Sequence, residues 1–402
     1  MKLLKLIFLL GMFFVSTMGN ACTSAIISGR LTADGRPILW KSRDTETWAN
    51  SIGYYQGNKY RYVAIVDSKE YANPHEVWGG SNETGFSIIN TLSYNLTDDK
   101  ETKDWHQNGV IMKMALENCA TIAEFKHLLD TLSRPMHVAS NFGVIDAKGG
   151  AAYFEVGSTH YTFWDVNRSE EGFLVRTNFS FSGKVNHGLG YVRYDEAFHQ
   201  IHLKSVSQDI TPQWLLQKLS RSFRNPLMGI DLTSGHYNSP QTKGWFVEQD
   251  FIARRTSSCA VAIQGVKPTE SPELTTIWVV LGYPPVTPAV PVWVKDAYLI
   301  PQILGYSDDI KTSFSSWRAH QLQQRVYSYH SGDDANRYFH WDLLWRPDGS
   351  GLLQKNETYE KDMMKIYEPV VKEIYSKGRL NIEKVKKIYE YVDKELWKGM
   401  ER

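Results

Sequence analysis

Cysteine is scarce in this 402-residue chain, which has only Cys22, Cys119 and Cys259. An exported domain stapled by disulfides carries a denser and usually even set, so that architecture is not indicated. Charge of one sign is missing as well. The 45 Lys and Arg residues against 44 Asp and Glu leave a formal +1 with no basic block, so nothing points to a nucleic-acid or anionic-membrane partner. Past the N-terminal leader no apolar run approaches the ~20 residues of a membrane-spanning helix. A phosphate-binding glycine loop with lysine, His-Glu-x-x-His, Cys-x-x-Cys and Gly-x-Ser-x-Gly are all absent. The 12 histidines are scattered without metal-ligand spacing, so neither a metal nor another cofactor is expected.

What is present begins with residues 1–21, laid out as a secretory signal: Lys2 and Lys5, an apolar stretch from Leu6 to Val15, then Gly19-Asn20-Ala21. Small residues at the −3 and −1 positions predict a cut before Cys22 and a mature chain exported to the periplasm or beyond. Losing the leader removes two lysines and leaves 43 basic against 44 acidic residues, or −1. Cys22 then admits three readings: a lipid anchor on a non-catalytic surface protein, one half of a disulfide, or a nucleophile. A lipobox wants an aliphatic residue at −3, where this chain has Gly19, so ordinary signal cleavage fits better. Cys119 lies in a helical pattern and Cys259 in an alternating one. Both read as buried small hydrophobes, with pairing between them left open.

The mature chain is long enough for a large core. Directly after Cys22, "TSAIIS" is a β-branched run; Asp34-Gly35 is a hairpin signal, and "PILWKSRD" is the returning strand. Cys22 and Asp44 are equidistant from Ala33, so the fold-back predicts that they lie close. Further β-rich runs follow through "TTIWVVLGYP", with helices expected over about 110–132 and 211–220. Strand runs and hairpins interleaved with helices argue for a layered, largely antiparallel α+β domain over residues 22–300. Residues 301–402 read as a helical C-terminal extension packed on it. Its last segment, from Asn381 as cap, puts Ile382, Val385, Ile388, Tyr389 and Val392 on one face.

An N-terminal cysteine brings its own base. The α-amine has an ordinary pKa of about 7.7–8.0; neutral at mild pH, it takes the thiol proton, so no separate histidine is required. The amine needs a carboxylate to orient it, and sulfur benefits from a nearby cation. The hairpin offers Asp44 for the first duty and Lys41 or Arg43 for the second.

"CTSAIISGRLTADGRPILWKSRDTE" resembles the opening of the choloylglycine hydrolase and penicillin V acylase superfamily of N-terminal-nucleophile hydrolases. It is most similar to the branch related to acyl-coenzyme A:isopenicillin acyltransferases and other linear amide hydrolases. "GGSNETGFSIINT", "SNFGVIDAKGGAAYFEV", "RTNFSFSG" and "RRTSSCAVAI" continue the resemblance across roughly residues 22–295. It implies a four-layer αββα sandwich and Cys22 as nucleophile with Asp44 holding its amine. It also implies Asn178 as the oxyanion-hole asparagine, Arg255 as an arginine near the nucleophile, and Asn90 as a second asparagine of the site. The expected reaction is hydrolysis of a small-molecule N-acyl amide, such as a conjugated bile salt, penicillin V or an N-acyl amino acid. The same site also suits an acyltransferase, and the resemblance implies a homo-oligomer, a tetramer.

The family's Arg-x-x-Asp is replaced here by Lys41-Ser42-Arg43-Asp44. Position favours Lys41 as the substitute, with Arg43 the alternative from the next register, and lysine lacks the planar fork. Arg254 competes with Arg255 in the same way. Asn178 also opens one of five glycosylation sequons, with Asn82, Asn95, Asn167 and Asn356; a glycan there is incompatible with a site role.

Overall fold

The computed structural model describes residues 21–96, 107–238, 244–295, 299–332 and 335–400; the leader, residues 1–20, lies outside them. In chain order the first strands are β1 (Ala21–Ile27), β2 (Ile38–Asp44), β3 (Asn50–Gln56), β4 (Arg61–Asp67), β5 (Gly80–Asn82) and β6 (Ser87–Leu92). Helices α1 (Asn108–Asn118) and α2 (Ile122–Thr131) precede β7 (Ser140–Ile145), β8 (Ala151–Val156), β9 (Tyr161–Asp165) and β10 (Phe173–Arg176). Next come α3 (Tyr191–Ser205), α4 (Pro212–Trp214), β11 (Arg224–Asn225), β12 (Ile230–Asp231) and β13 (Trp245–Val247). Then follow β14 (Ser257–Gln264), β15 (Thr276–Leu281), β16 (Val290–Val292), α5 (Phe314–Val326), β17 (Tyr338–His340), α6 (Trp341–Leu344), α7 (Leu352–Lys377) and α8 (Ile382–Met400).

Two antiparallel sheets stack as the middle layers, one ordered β10-β1-β2-β14-β15-β16 and the other β3-β4-β5-β6-β7-β8-β9. Ile26, Leu39, Val63, Ile65, Ile89 and Tyr153 join them in one core. Outside the second sheet, α1 and α2 bury Ile111, Met112, Leu116, Phe125 and Leu129. Outside the first, α3, α7 and α8 add Ala197, Ile201, Met363, Tyr367, Val385 and Ile388 to the main core. This is the four-layer αββα sandwich. With both faces covered, β1 and β2 are buried at every position, so neither shows the alternation of a half-exposed strand. That makes Lys41, Arg43 and Asp44 unusual: three charged residues on the central strand of a sheet covered on both sides.

The helical stretch expected near 110–132 is two helices. Cys119 adopts an extended conformation, and Thr121 caps α2 by accepting from the Glu124 main-chain N–H at 3.2 Å, while the Glu124 carboxylate receives the Ala120 N–H. This threonine cap starts a new helix inside one apolar pattern. Over 211–220, α4 continues as a π-turn at Leu215–Leu219. Asn381 does cap α8, its Oδ1 accepting from Lys384 N at 3.3 Å. The segment after 301 also contains a strand, β17, paired with β13; Phe223 and Phe251 share a satellite core with Leu322, Phe339 and Trp341 across that point. All three cysteines are free and buried, with Cys119 in the outer helical layer and Cys259 in the main core.

Arg176 and Glu155 form a fully buried pair, Nε to Oε1 at 2.7 Å, and the same carboxylate accepts the N–H groups of Phe181 and Ser182 at 2.9 and 2.8 Å. Burial alone would raise the Glu155 pKa, but Arg176 and these donors outweigh it and hold the carboxyl below its ordinary value. The pair ties β8 to β10 and to the chain just after Asn178. Glu155→Gln is expected to cost about 3–5 kcal/mol of stability, because it leaves Arg176 buried without its anion. Denaturant unfolding checks this; a loss below 1 kcal/mol would mean that the pair is dispensable.

Candidate active site

The two strands pair as expected, but their last rung is Ile27 opposite Ile38, so the connection runs through a short 3-10 turn at Gly29–Leu31 before Gly35 at φ +77°, a left-handed conformation that glycine adopts without penalty. The register differs by one residue from the symmetric fold-back. Cys22 faces Arg43, Ser24 faces Lys41, and Asp44 faces Ala21. Directly opposed residues of an antiparallel pair project to the same side, so the slip puts Arg43 beside the thiol. Asp44 then overhangs the peptide bond between residues 21 and 22.

Asp44 is buried. Its Oδ1 accepts from Ser257 Oγ at 2.7 Å, and its Oδ2 has Arg254 Nε at 3.8 Å but no hydrogen-bond donor among the described residues. Desolvation lifts the carboxyl to about 6, with Arg254, Arg193 and Ser257 opposing the rise. Lys41 is equally buried; Nζ donates to Asn90 Oδ1 at 2.7 Å and to Trp78 O at 2.8 Å. Desolvation lowers its pKa to about 8, against the pull of Cys22.

Asn178 lies beside Cys22, though in an orientation the sequence did not suggest. Its Oδ1 accepts from the Cys22 main-chain N–H at 3.0 Å, while Nδ2 donates to Leu92 O at 2.9 Å. The amide thus turns an acceptor toward the Cys22 nitrogen. Its residue is wholly buried, which rules out a glycan. Asn82, Asn95 and Asn356 are buried too, whereas Asn167 is exposed. Asn90 donates one Nδ2 hydrogen to Ser140 Oγ at 3.2 Å and lines the same cavity as Cys22.

Of the two adjacent arginines, the structure brings Arg254 to Asp44, not Arg255. The Arg255 guanidinium pairs with Glu46 and lines a separate cavity of about 450 Å³, walled also by Trp48, His320 and Tyr327. Sequence reasoning missed Arg193 altogether. From α3 its guanidinium donates to Cys22 O at 2.7 Å, Thr23 Oγ1 at 3.0 Å and Asn178 Oδ1 at 2.9 Å, and pairs with Asp250 at 2.9 Å. Asp250 in turn binds Arg254. One signal was available: Arg193, Glu196, Ala197 and Ile201 are spaced as a single buried helix face, and a charge on such a face needs a partner.

Cys22 opens on a cavity of about 330 Å³ whose wall includes Lys41, Arg43, Asp44, Trp78 and Asn90. Cys22, Lys41, Asp44, Asn90 and Asn178, five of the six residues singled out from sequence, therefore surround one space or touch Cys22. A carboxylate oxygen without a hydrogen-bond donor among the described residues stands next to the position where removal of residue 21 would create an amine.

Residues 69–243 match the family model described as acyl-coenzyme A:6-aminopenicillanic acid acyl-transferase. Among solved structures, the Caenorhabditis elegans ortholog of N-acylethanolamine-hydrolyzing acid amidase is similar at 18% identity and TM-score 0.33, covering 46% of this chain and 86% of that one. A mutant conjugated bile acid hydrolase from Clostridium perfringens has 11% identity and TM-score 0.41, covering 68% and 92%. Penicillin V acylase from Agrobacterium tumefaciens has 11% identity and TM-score 0.34, covering 68% and 86%. None of the curated proteins matches the sequence. Among the described residues no helix is long and apolar enough to cross a membrane.

Proposed function

We propose that this chain is a member of the N-terminal-nucleophile hydrolase superfamily, a reading supported by the family model matching residues 69–243, and that it is an exported cysteine amidohydrolase. It cleaves a linear amide of a small N-acyl compound after signal cleavage exposes Cys22. The observation that carries this reading is Asp44 Oδ2, buried and without a donor opposite the peptide that the cut would open. A buried carboxylate oxygen left unpaired is costly, and a free α-amine at Cys22 supplies the missing N–H.

In this reading the Asp44 carboxylate and Asn178 Oδ1 hold the amine so that it takes the Cys22 proton. The thiolate attacks the amide carbonyl, breaking its π bond and forming a C–S bond. The second Nδ2 hydrogen of Asn90 and the Lys41 ammonium stabilise the oxygen that becomes negative, a duty that passes from Asn178 because its oxygen faces the nucleophile. The ammonium of Cys22 then protonates the leaving nitrogen as the C–N bond breaks. Water, deprotonated by the same amine, clears the thioester. Arg193 positions Cys22 and Asn178 from below. An acceptor amine in place of water would make the same site an acyltransferase, the activity named by the matching family model.

Intact-mass analysis of the exported protein, combined with a thiol electrophile at mild pH, tests the reading. The expected result is a chain beginning at Cys22 and modified there once; a diacylglyceryl group on Cys22, or retention of residues before it, would end the proposal. Since Lys41 must be charged, kcat/KM is expected to fall as pH rises through about 8. Lys41→Arg keeps its charge well above that, so its alkaline limb should move up by more than one pH unit. An unmoved limb would show that Lys41 does not set it.

A further inference from the structure

Resting on that reading, we propose that the group entering the 330 Å³ cavity is compact and carries a carboxylate, with Arg43 as the specificity-determining residue. A space of this size is at the lower end for a ligand pocket, and such pockets are ordinarily lined mostly by apolar side chains. Here the wall holds Lys41, Arg43, Asp67, Glu76, Asn90 and Asn108, with Trp78 and Leu92 as the only large apolar residues among the described ones. Even Trp78 offers little bare surface. Its ring is covered by the Arg43 guanidinium at 4.3 Å, and its indole N–H is spent on Asp67 at 3.0 Å. An alkyl chain or a steroid would desolvate two buried cations and gain little contact in return.

Donors, by contrast, remain. Arg43 gives one N–H to Asn50 Oδ1 at 2.7 Å and one to Asp67 Oδ1 at 3.1 Å, two of the five a guanidinium carries. The other three have no acceptor among the described residues, and Arg43 lines the same cavity as Cys22, the residue it faces across the ladder. Of the acids on the wall, Asp67 is ion-paired with Arg43 and accepts the Trp78 indole N–H, and Asp44 accepts from Ser257 with the Arg254 guanidinium 3.8 Å away. Glu76 is only half-buried and faces more water than the two cations. A planar fork of free N–H groups next to the nucleophile matches a carboxylate, bound through paired charge-assisted hydrogen bonds.

The test uses the mature wild-type enzyme and two matched series of amides. In one, a glutaryl, pentanoyl or decanoyl group is joined to the same chromogenic amine. In the other, one acyl group is joined to an amine with or without a carboxylate. In at least one series the carboxylate-bearing member should have a kcat/KM roughly 10- to 100-fold above its neutral isostere. That ratio should collapse in Arg43→Gln and be partly kept in Arg43→Lys. Equal or better turnover of the neutral or long-chain members in both series overturns the proposal, even if neither variant folds. If no amide is cleaved at all, the amidohydrolase reading falls, and alkylation of Cys22 still decides this one. Glutarate should slow that alkylation at concentrations where the neutral glutaramide does not; equal protection, or none from glutarate, overturns it.

Discussion

Cys22→Ser is expected to lower kcat by about 10⁴-fold or more on every amide the wild-type enzyme cleaves. Removal of a nucleophile leaves only the catalysis supplied by binding and oxyanion donors. Serine keeps the size of the side chain, the hairpin register and the contacts of its main-chain N–H and C=O with Asn178 and Arg193, so folding and leader removal should be unaffected. What changes is acidity: a hydroxyl is far harder to ionise than a thiol, and an α-amine near neutrality is too weak a base to compensate. Intact mass confirms that the variant begins at residue 22, and steady-state kinetics reads the loss. Retention of a tenth of wild-type turnover would remove sulfur from the mechanism.

Asp44→Asn should move two quantities in opposite directions. Activity is expected to fall by about 10³-fold, because the amide cannot orient the amine or stabilise it once protonated. Stability should shift the other way with pH. The folded carboxyl sits at about 6, above its ordinary 3.8, so between those values the folded protein keeps a proton the unfolded chain has released. Stability therefore falls as pH rises through that window, by about 3 kcal/mol at 1.36 kcal/mol per pH unit, and the penalty persists at neutrality. Asparagine carries no such penalty. Denaturant unfolding of the uncleaved chain, in which no amine stands beside the carboxyl, should show between pH 4 and pH 7 a drop that is about 3 kcal/mol larger with Asp44 than with asparagine. Activity within tenfold of wild type, or identical pH dependences of stability, would mean that Asp44 is a structural carboxylate.

Such a trade marks a site where the fold tolerates a desolvated charge for chemistry. Lys41 adds to the pattern, since burial drives it toward its neutral form while Cys22 pulls the other way. Two charges of opposite sign are held against their solvation preference on one strand, β2, within four residues.

Much of this was legible before any coordinates. The Asp34-Gly35 turn, the two strands it joins and the Asn381 cap are short-range features, and each follows from residues within a few positions of one another. Where local pattern misled, the cause is equally physical. One apolar stripe spans α1 and α2, and only the Thr121 cap between them breaks it. The α3 helix escaped notice because its buried face carries Arg193 and Glu196 in place of apolar residues.

The sequence by itself determined that Cys22 and the Asp44 carboxylate would lie near one another on paired strands, since two β-rich runs joined through a glycine-containing turn are encoded locally. Only the tertiary structure decided the rest. A one-residue register chose Arg43 as the neighbour of Cys22, and packing across 156 positions brought Asn178 to its nitrogen. Helix α3 delivered Arg193, and Arg254 turned inward while Arg255 turned to Glu46. Those choices depend on how two sheets and their covering helices stack. In that stack a shift of one residue reverses which side chains meet, and no local pattern along the chain records it.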